Sequence, residues 1–176
     1  MNAQTVNEEE LPQFLTFAVG GEEFAAPVLR VREIVRYEKP TKVPLMPSAV
    51  RGVINLRGTV VPVVDLAARL GFSATATTKL TSLVIVEVPV DGGILPMGLL
   101  VDAVSEVIDL EQNTIEPAPQ LGAKVHTEYL LGLGKLEGRF LLVLDVDRVL
   151  DARDLRAASQ LGDSPAREER LEAAAP

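Results

Sequence analysis

Asp65 and Asp145 are the residues of this chain whose type and placement could do chemistry. Each follows an aliphatic run: Thr59-Val-Val-Pro-Val-Val64 before the first and Arg139-Phe-Leu-Leu-Val-Leu144 before the second. Two carboxylates brought face to face can share a proton and activate water, the arrangement of an aspartic protease. A carboxylate-dependent hydrolase is therefore the enzymatic reading. The residues that follow speak against it, because Asp65-Leu-Ala-Ala68 and Asp145-Val-Asp-Arg148 lack the Asp-Thr/Ser-Gly turn that presents such acids. Both aspartates sit where a strand pattern hands over to a helical one, the place of an N-cap. Capping is the expected role of each, and no catalytic residue is assigned.

Little other reactive chemistry is available. The chain has 176 residues, no Cys and a single His, His126, so thiolate or multi-histidine metal sites and cysteine nucleophiles are excluded. His126 stands beside Thr127 and Glu128 with no partner that the sequence identifies. No cofactor or metal is expected, and the expectation is a protein that is not an enzyme. A formal charge of −8 with only 4% aromatics opposes nucleic-acid binding, which needs basic stripes and stacking platforms. The acidic start, with Glu8, Glu9 and Glu10 in a row, lacks the form of a secretory signal. Apolar runs are too short for a membrane helix, so a cytoplasmic protein without direct membrane insertion is expected.

The elements that would position these residues are mostly strands. Phe14 to Val19 and Phe24 to Val28 read as a hairpin around Gly20-Gly21. The spacing of Val28, Val31, Ile34 and Val35 predicts a short helical turn. Lys39 to Pro47 carries three prolines in nine positions and reads as an extended connector. Arg51 to Gly58 and Thr59 to Asp65 predict a second hairpin turning at Arg57-Gly58, and Pro62 predicts an edge strand or a bulge. Asp65 to Leu70 reads as a short helix stopped by Gly71, followed by a linker from Ser73 to Thr78. Strand patterns return at Leu80 to Val88, Ile94 to Val101 and Val104 to Leu110. Glu116-Pro-Ala-Pro119 interrupts them, and Tyr129 to Leu136 with Arg139 to Leu144 forms a last hairpin. Residues 1–13 are expected to be disordered and 151–176 to form a helix or tail.

The second half repeats the first. Gly52, Leu56, Gly58, Val63, Asp65 and Leu70 recur as Gly132, Leu136, Gly138, Val143, Asp145 and Leu150, an offset of 132 − 52 = 80. Gly20, Val28, Val31 and Glu33 recur as Gly93, Val101, Val104 and Glu106, an offset of 93 − 20 = 73. Shared turn glycines and a shared Asp exceed what two apolar strands match by chance. Each half has about five short strands, too few to bury both faces of an open sheet, so two small barrels side by side with a groove between them are expected.

Arg51-Gly-Val-Ile-Asn-Leu-Arg-Gly-Thr-Val-Val-Pro-Val-Val-Asp-Leu66 resembles the signature hairpin of the chemotaxis coupling protein family, CheW. Phe24 to Val35, Val101 to Ile108 and Glu128 to Gly134 carry the same resemblance, which runs from about Phe14 to Leu150. It implies an all-β fold of two five-stranded SH3-like barrels, here about residues 14–72 and 80–150 of one 14–150 domain, with strand exchange between them left open. It also implies a non-catalytic adaptor that couples the cytoplasmic tip of a chemoreceptor to the regulatory domain of a CheA-type histidine kinase.

On the same resemblance, Glu33 and Arg57 match an ion pair beside the receptor-binding groove. Gly52, Gly98, Val104 and Val107 match positions lining it. Val28, Val31 and Val43 are candidates for the kinase-binding face. Each has a plainer alternative: solvated charges for the pair, bulge or barrel-bend positions for the glycines, core packing for the valines. The repeat counterparts of Glu33 and Arg57 are Glu106 and Glu137, so the second half is expected not to repeat the pair.

Overall fold

Burial on both faces marks the first hairpin, with Phe14 to Phe17 and Phe24 to Ala26 buried in unbroken runs. β1 (Gln13–Val19) and β2 (Glu22–Pro27) pair antiparallel with Phe17 opposite Phe24, and Gly20 and Gly21 turn between them at positive φ. The computed structural model describes residues 12–90, 92–111, 114–118 and 126–150. The expectations for residues 1–11 and for the tail 151–176 lie outside the described residues.

After a single 3-10 turn at Val28–Arg30, the chain enters β3 (Val31–Arg36). The helical turn expected to run on to Val35 is thus confined to three residues. Pairing of β3 with β6 overrides the helical spacing, with a bulge between Val31 and Glu33, and strand alternation leaves Val31, Glu33 and Val35 as the half-buried set. β4 (Val50–Leu56) and β5 (Thr59–Asp65) follow, then α1 (Leu66–Leu70), β6 (Ser82–Val90), β7 (Gly93–Val101), β8 (Ala103–Asp109), the two-residue β9 (Ile115–Glu116), β10 (Leu130–Leu136), β11 (Arg139–Leu144) and α2 (Val146–Val149).

Two sheets result, ordered β8-β1-β2-β11-β10-β9 and β3-β6-β7-β5-β4. Each mixes strands from both halves of the sequence. The first hairpin, β1–β2, leaves its own half for the six-stranded sheet, and its repeat, β6–β7, crosses into the five-stranded one. The division near residues 72–80 therefore separates repeat units, while the sheets exchange hairpins across it.

The exchange obeys the duplication residue by residue. Parallel pairing joins Val63 to Gly98 in one sheet and Val143 to Ala25 in the other; 143 − 63 is 80 and 98 − 25 is 73. Matching bulges fall between Val50 and Gly52 and between Leu130 and Gly132. β5 is interior to its sheet, so Pro62 does not mark an edge. Its pairing with β7 spans only Val63 to Asp65, which leaves Pro62 outside that ladder.

Three apolar clusters hold the layers. Leu83, Ile85, Val61 and Val63 fill the five-stranded barrel; Phe14, Ala25, Leu141 and Val143 fill the six-stranded one. The largest cluster lies between them and draws Phe17, Phe24, Leu66, Leu70, Val86, Leu99, Leu144 and Val149 from both sheets and both helices. Exchanged hairpins and a common core pack the two sheets against each other.

Candidate functional site

The turn from β4 to β5 holds Arg57 at φ 51° and Gly58 at φ 84°. Asn55 fastens it, its Oδ1 accepting from the Gly58 N–H at 2.8 Å. This places the exposed Arg57 guanidinium across the barrel mouth from β3, where Nη1 and Nη2 donate to Glu33 Oε2 and Oε1 at 2.9 and 3.1 Å. Glu33 is largely covered and Arg57 largely exposed. The pair inferred from the resemblance is formed, in the two-pronged geometry that fixes orientation as well as distance. Beside it, Arg32, Leu56, Arg57, Thr59, Val61 and Pro96 line a recess of about 100 Å³.

The second mouth departs from expectation. Glu137 replaces Arg57, yet Glu106 is not left unpaired: Arg139 Nη2 donates to Glu106 Oε1 at 2.6 Å, and Arg139 Nη1 lies 3.7 Å from Glu23. The hydrogen bond to Glu106, then the charge of Glu23, hold the Arg139 guanidinium protonated more firmly than usual. The pair is repeated from a position two residues further along, which strict repeat alignment hides.

The glycines have local explanations. A Cβ on Gly52, at φ 140°, would collide with the Thr41 carbonyl oxygen, because Thr41 bridges to Val53 across the bulge. Gly132 faces Glu116 in the same way. Gly98 is buried, and the place its side chain would occupy lies among Ile85 and Val63, inside its own barrel. Neither Gly52 nor Gly98 presents an open surface.

Val28, Val31 and Val104 are half-buried against the shared core, and Val43 is half-buried in the connector before β4. Val107 stands half-exposed on β8. Sequence reasoning missed the more exposed apolar neighbours Leu29 and Leu45, which are 95% and 103% exposed, and Ile34. Alternation along β3 is the signal that could have found Ile34. The exposure of Leu45, in a turn at φ 63°, left none.

Arg30, between Val28 and Val31, ties the two halves together. Its Nη1 and Nη2 donate to Asp147 Oδ2 and Oδ1 at 2.9 and 2.7 Å, while Nε and Nη2 donate to the Glu87 carbonyl at 3.2 and 3.1 Å. The hydrogen bond from Arg30 holds the Asp147 carboxyl below its usual pKa.

Asp65 and Asp145 do not form a dyad. Each caps its own helix at the end of a different sheet. Asp65 also accepts from the Thr75 N–H and hydroxyl at 3.1 and 2.8 Å and lies 3.3 Å from Arg51, so it pins the linker. His126 packs edge-on against Tyr129 on the surface. Among the described residues no group of carboxylates and histidine could hold a metal ion, and no helix is long and apolar enough to cross a membrane.

The sequence and the fold have counterparts in known proteins. Residues 13–154 match the family model described as CheW-like domain. The chain belongs to the CheW family. The chemotaxis protein CheW of Klebsiella aerogenes is 32% identical over 161 residues, covering 92% of each chain. That of Rhizobium meliloti is 34% identical over 146 residues, 83% of this chain and 92% of the relative. The crystal structure of the scaffolding protein TtCheW from Thermoanaerobacter tengcongensis superposes with a TM-score of 0.72 at 30% identity, covering 82% of this chain and 91% of that one. As a CheW-family chain, this protein is a non-catalytic scaffold of chemotaxis signalling, and the hydrolase reading falls.

Proposed function

We propose that this chain joins the cytoplasmic tip of a chemoreceptor to the regulatory domain of a CheA-type histidine kinase, working in the cytoplasm at receptor arrays. The observation that carries the receptor side is the Glu33–Arg57 pair: a two-pronged ion pair on an exposed barrel mouth, beside the exposed Ile34. Charges so held steer encounter and fix register, while apolar neighbours supply contact area. Val104 and Val107 extend the receptor surface along β8. Gly52 and Gly98 contribute by letting the barrel close rather than by touching the partner.

The kinase side is assigned to Val28, Val31 and Val43, enlarged by Leu29 and Leu45. Half-buried valines carry the backbone that presents two fully exposed leucines, and such leucines gain most from desolvation against a partner. The units 14–72 and 80–150 act as one body through their exchanged hairpins. The test is reconstitution of receptor-controlled kinase autophosphorylation with purified receptor fragment, kinase and this chain. Receptor control is expected only with all three present. Equal control without this chain overturns the reading.

A further inference from the structure

The two barrel mouths compare the same backbone with different side chains. With offsets of 73 and 80, Arg32 matches Ser105, Arg57 matches Glu137, Thr59 matches Arg139 and Pro96 matches Glu23. The second mouth has Ser105 at the place of Arg32, so the fold does not require an arginine there. At the second mouth the guanidinium of Arg139 is engaged by Glu106 and Glu23.

The first mouth keeps donors in reserve. Arg57 gives one N–H from each terminal nitrogen to Glu33, and a guanidinium carries five. Arg32 approaches Glu87 only to 3.9 Å, beyond hydrogen-bond length. Between the two arginines lies the recess of about 100 Å³, with Leu56, Val61 and Pro96 as apolar wall and Thr59 at the rim. Guanidinium forks match carboxylates in shape, and an apolar wall sharpens the attraction by excluding water. Glu33 and Glu87 balance the two arginines, so the rim is neutral overall. The directed N–H groups left free, rather than net charge, are what a small acid would engage.

We infer that this recess receives one Asp or Glu side chain of the receptor tip. The carboxylate accepts from Arg32 and from the outward N–H groups of Arg57, and its methylenes lie on Leu56 and Pro96. The inference rests on the receptor reading above and supplies its chemistry: the receptor contributes an acid, and Arg32 is a binding residue that the matched ion pair does not include.

The test titrates the full chain with a soluble receptor hairpin fragment at low and at high salt, and separately with the kinase regulatory domain. Arg32→Gln is expected to weaken the receptor complex about tenfold at low salt and to flatten its salt dependence. Kinase affinity and melting temperature should stay unchanged. Replacing each exposed Asp or Glu of the receptor tip by Asn or Gln should yield one position with the same loss, which does not add to that of Arg32→Gln. Wild-type affinity and salt slope in Arg32→Gln, or no receptor acid coupled to Arg32, overturns the inference and leaves the receptor reading standing. A wild-type chain that binds no receptor fragment overturns both.

Discussion

Glu106 and Arg139 meet at 2.6 Å and close the second barrel mouth as Glu33 and Arg57 close the first. The acid is conserved between the repeats by position, whereas the base has moved from the turn residue to the first residue of the following strand. An ion pair across the mouth is thus common to both barrels, and what differs is which side chain remains exposed at the turn: Arg57 in one, Glu137 in the other.

That difference makes Arg57→Glu a clean probe of the receptor surface. Glu137 already occupies the equivalent turn at φ 48°, so glutamate fits the backbone there. The receptor complex is expected to weaken about tenfold while stability falls by only about 1 kcal/mol, the cost of setting a second carboxylate against the largely covered Glu33. Titration with a receptor fragment and a melting curve check both. Adding Glu33→Arg, which restores opposite charges, should recover part of the affinity.

Gly52 and Gly98 should behave oppositely when given a methyl group. Gly52→Ala drives a Cβ into the Thr41 carbonyl at a left-handed φ, and a loss of more than about 2 kcal/mol is expected. In Gly98→Ala the new Cβ meets Ile85 at 3.5 Å, an ordinary contact, and Ala25 already fills the equivalent place in the other barrel. A change within about 1 kcal/mol is expected. Melting temperatures of the two variants decide it, and equal losses would remove the bulge explanation of Gly52.

Arg30 and Asp147 should be coupled across the two halves. A double-mutant cycle of Arg30→Gln and Asp147→Asn is expected to show an interaction of about 1 kcal/mol, modest because Asp147 is well exposed. Arg30 lowers the Asp147 pKa in the fold, so the contribution is present above the usual aspartate range and fades as the carboxylate protonates, below about pH 4. Urea melts at pH 7 and pH 3 measure it. A coupling undiminished between pH 7 and pH 3 contradicts the assignment.

The two capping aspartates are predicted to differ in cost. Asp145→Ala removes the N-cap of a single helical turn, where the carboxylate accepts from the Asp147 and Arg148 N–H groups, and should lose about 1 kcal/mol. Asp65→Ala removes a buried carboxylate that Arg51, Thr75 and the Ala68 N–H all address, and about 3 kcal/mol is expected. Equal losses in denaturant titrations would mean that Asp65 does no more than cap.

Residues 13–72 produced alone should not fold as a monomer. Their hairpin β1–β2 pairs with β8 and β11, both absent from that fragment, and Phe17 and Phe24 would be exposed. A two-state melt of the monomeric fragment would contradict the exchanged arrangement.

Local physics made much of this protein legible in its sequence. Strand patterns, the turn glycines, the two helix caps and the internal repeat all depend on neighbours within a few residues, or on comparing one stretch with another. The residues of the Glu33–Arg57 pair were legible through resemblance, whereas their contact needs β3 to lie across the barrel mouth from the hairpin turn.

Partner choice between distant strands was decided only in three dimensions. No local preference tells β1–β2 to leave its half, because either sheet would satisfy its backbone groups, and burial of Phe17 and Phe24 in the shared core settles the matter. The same holds for Arg139, which reaches Glu106 only once β8 and β11 share a barrel, and for Gly98, whose place inside a barrel looks in sequence like any other strand glycine. Hydrogen-bonding periodicity is written along the chain; which surfaces exclude water together is a property of the whole assembly.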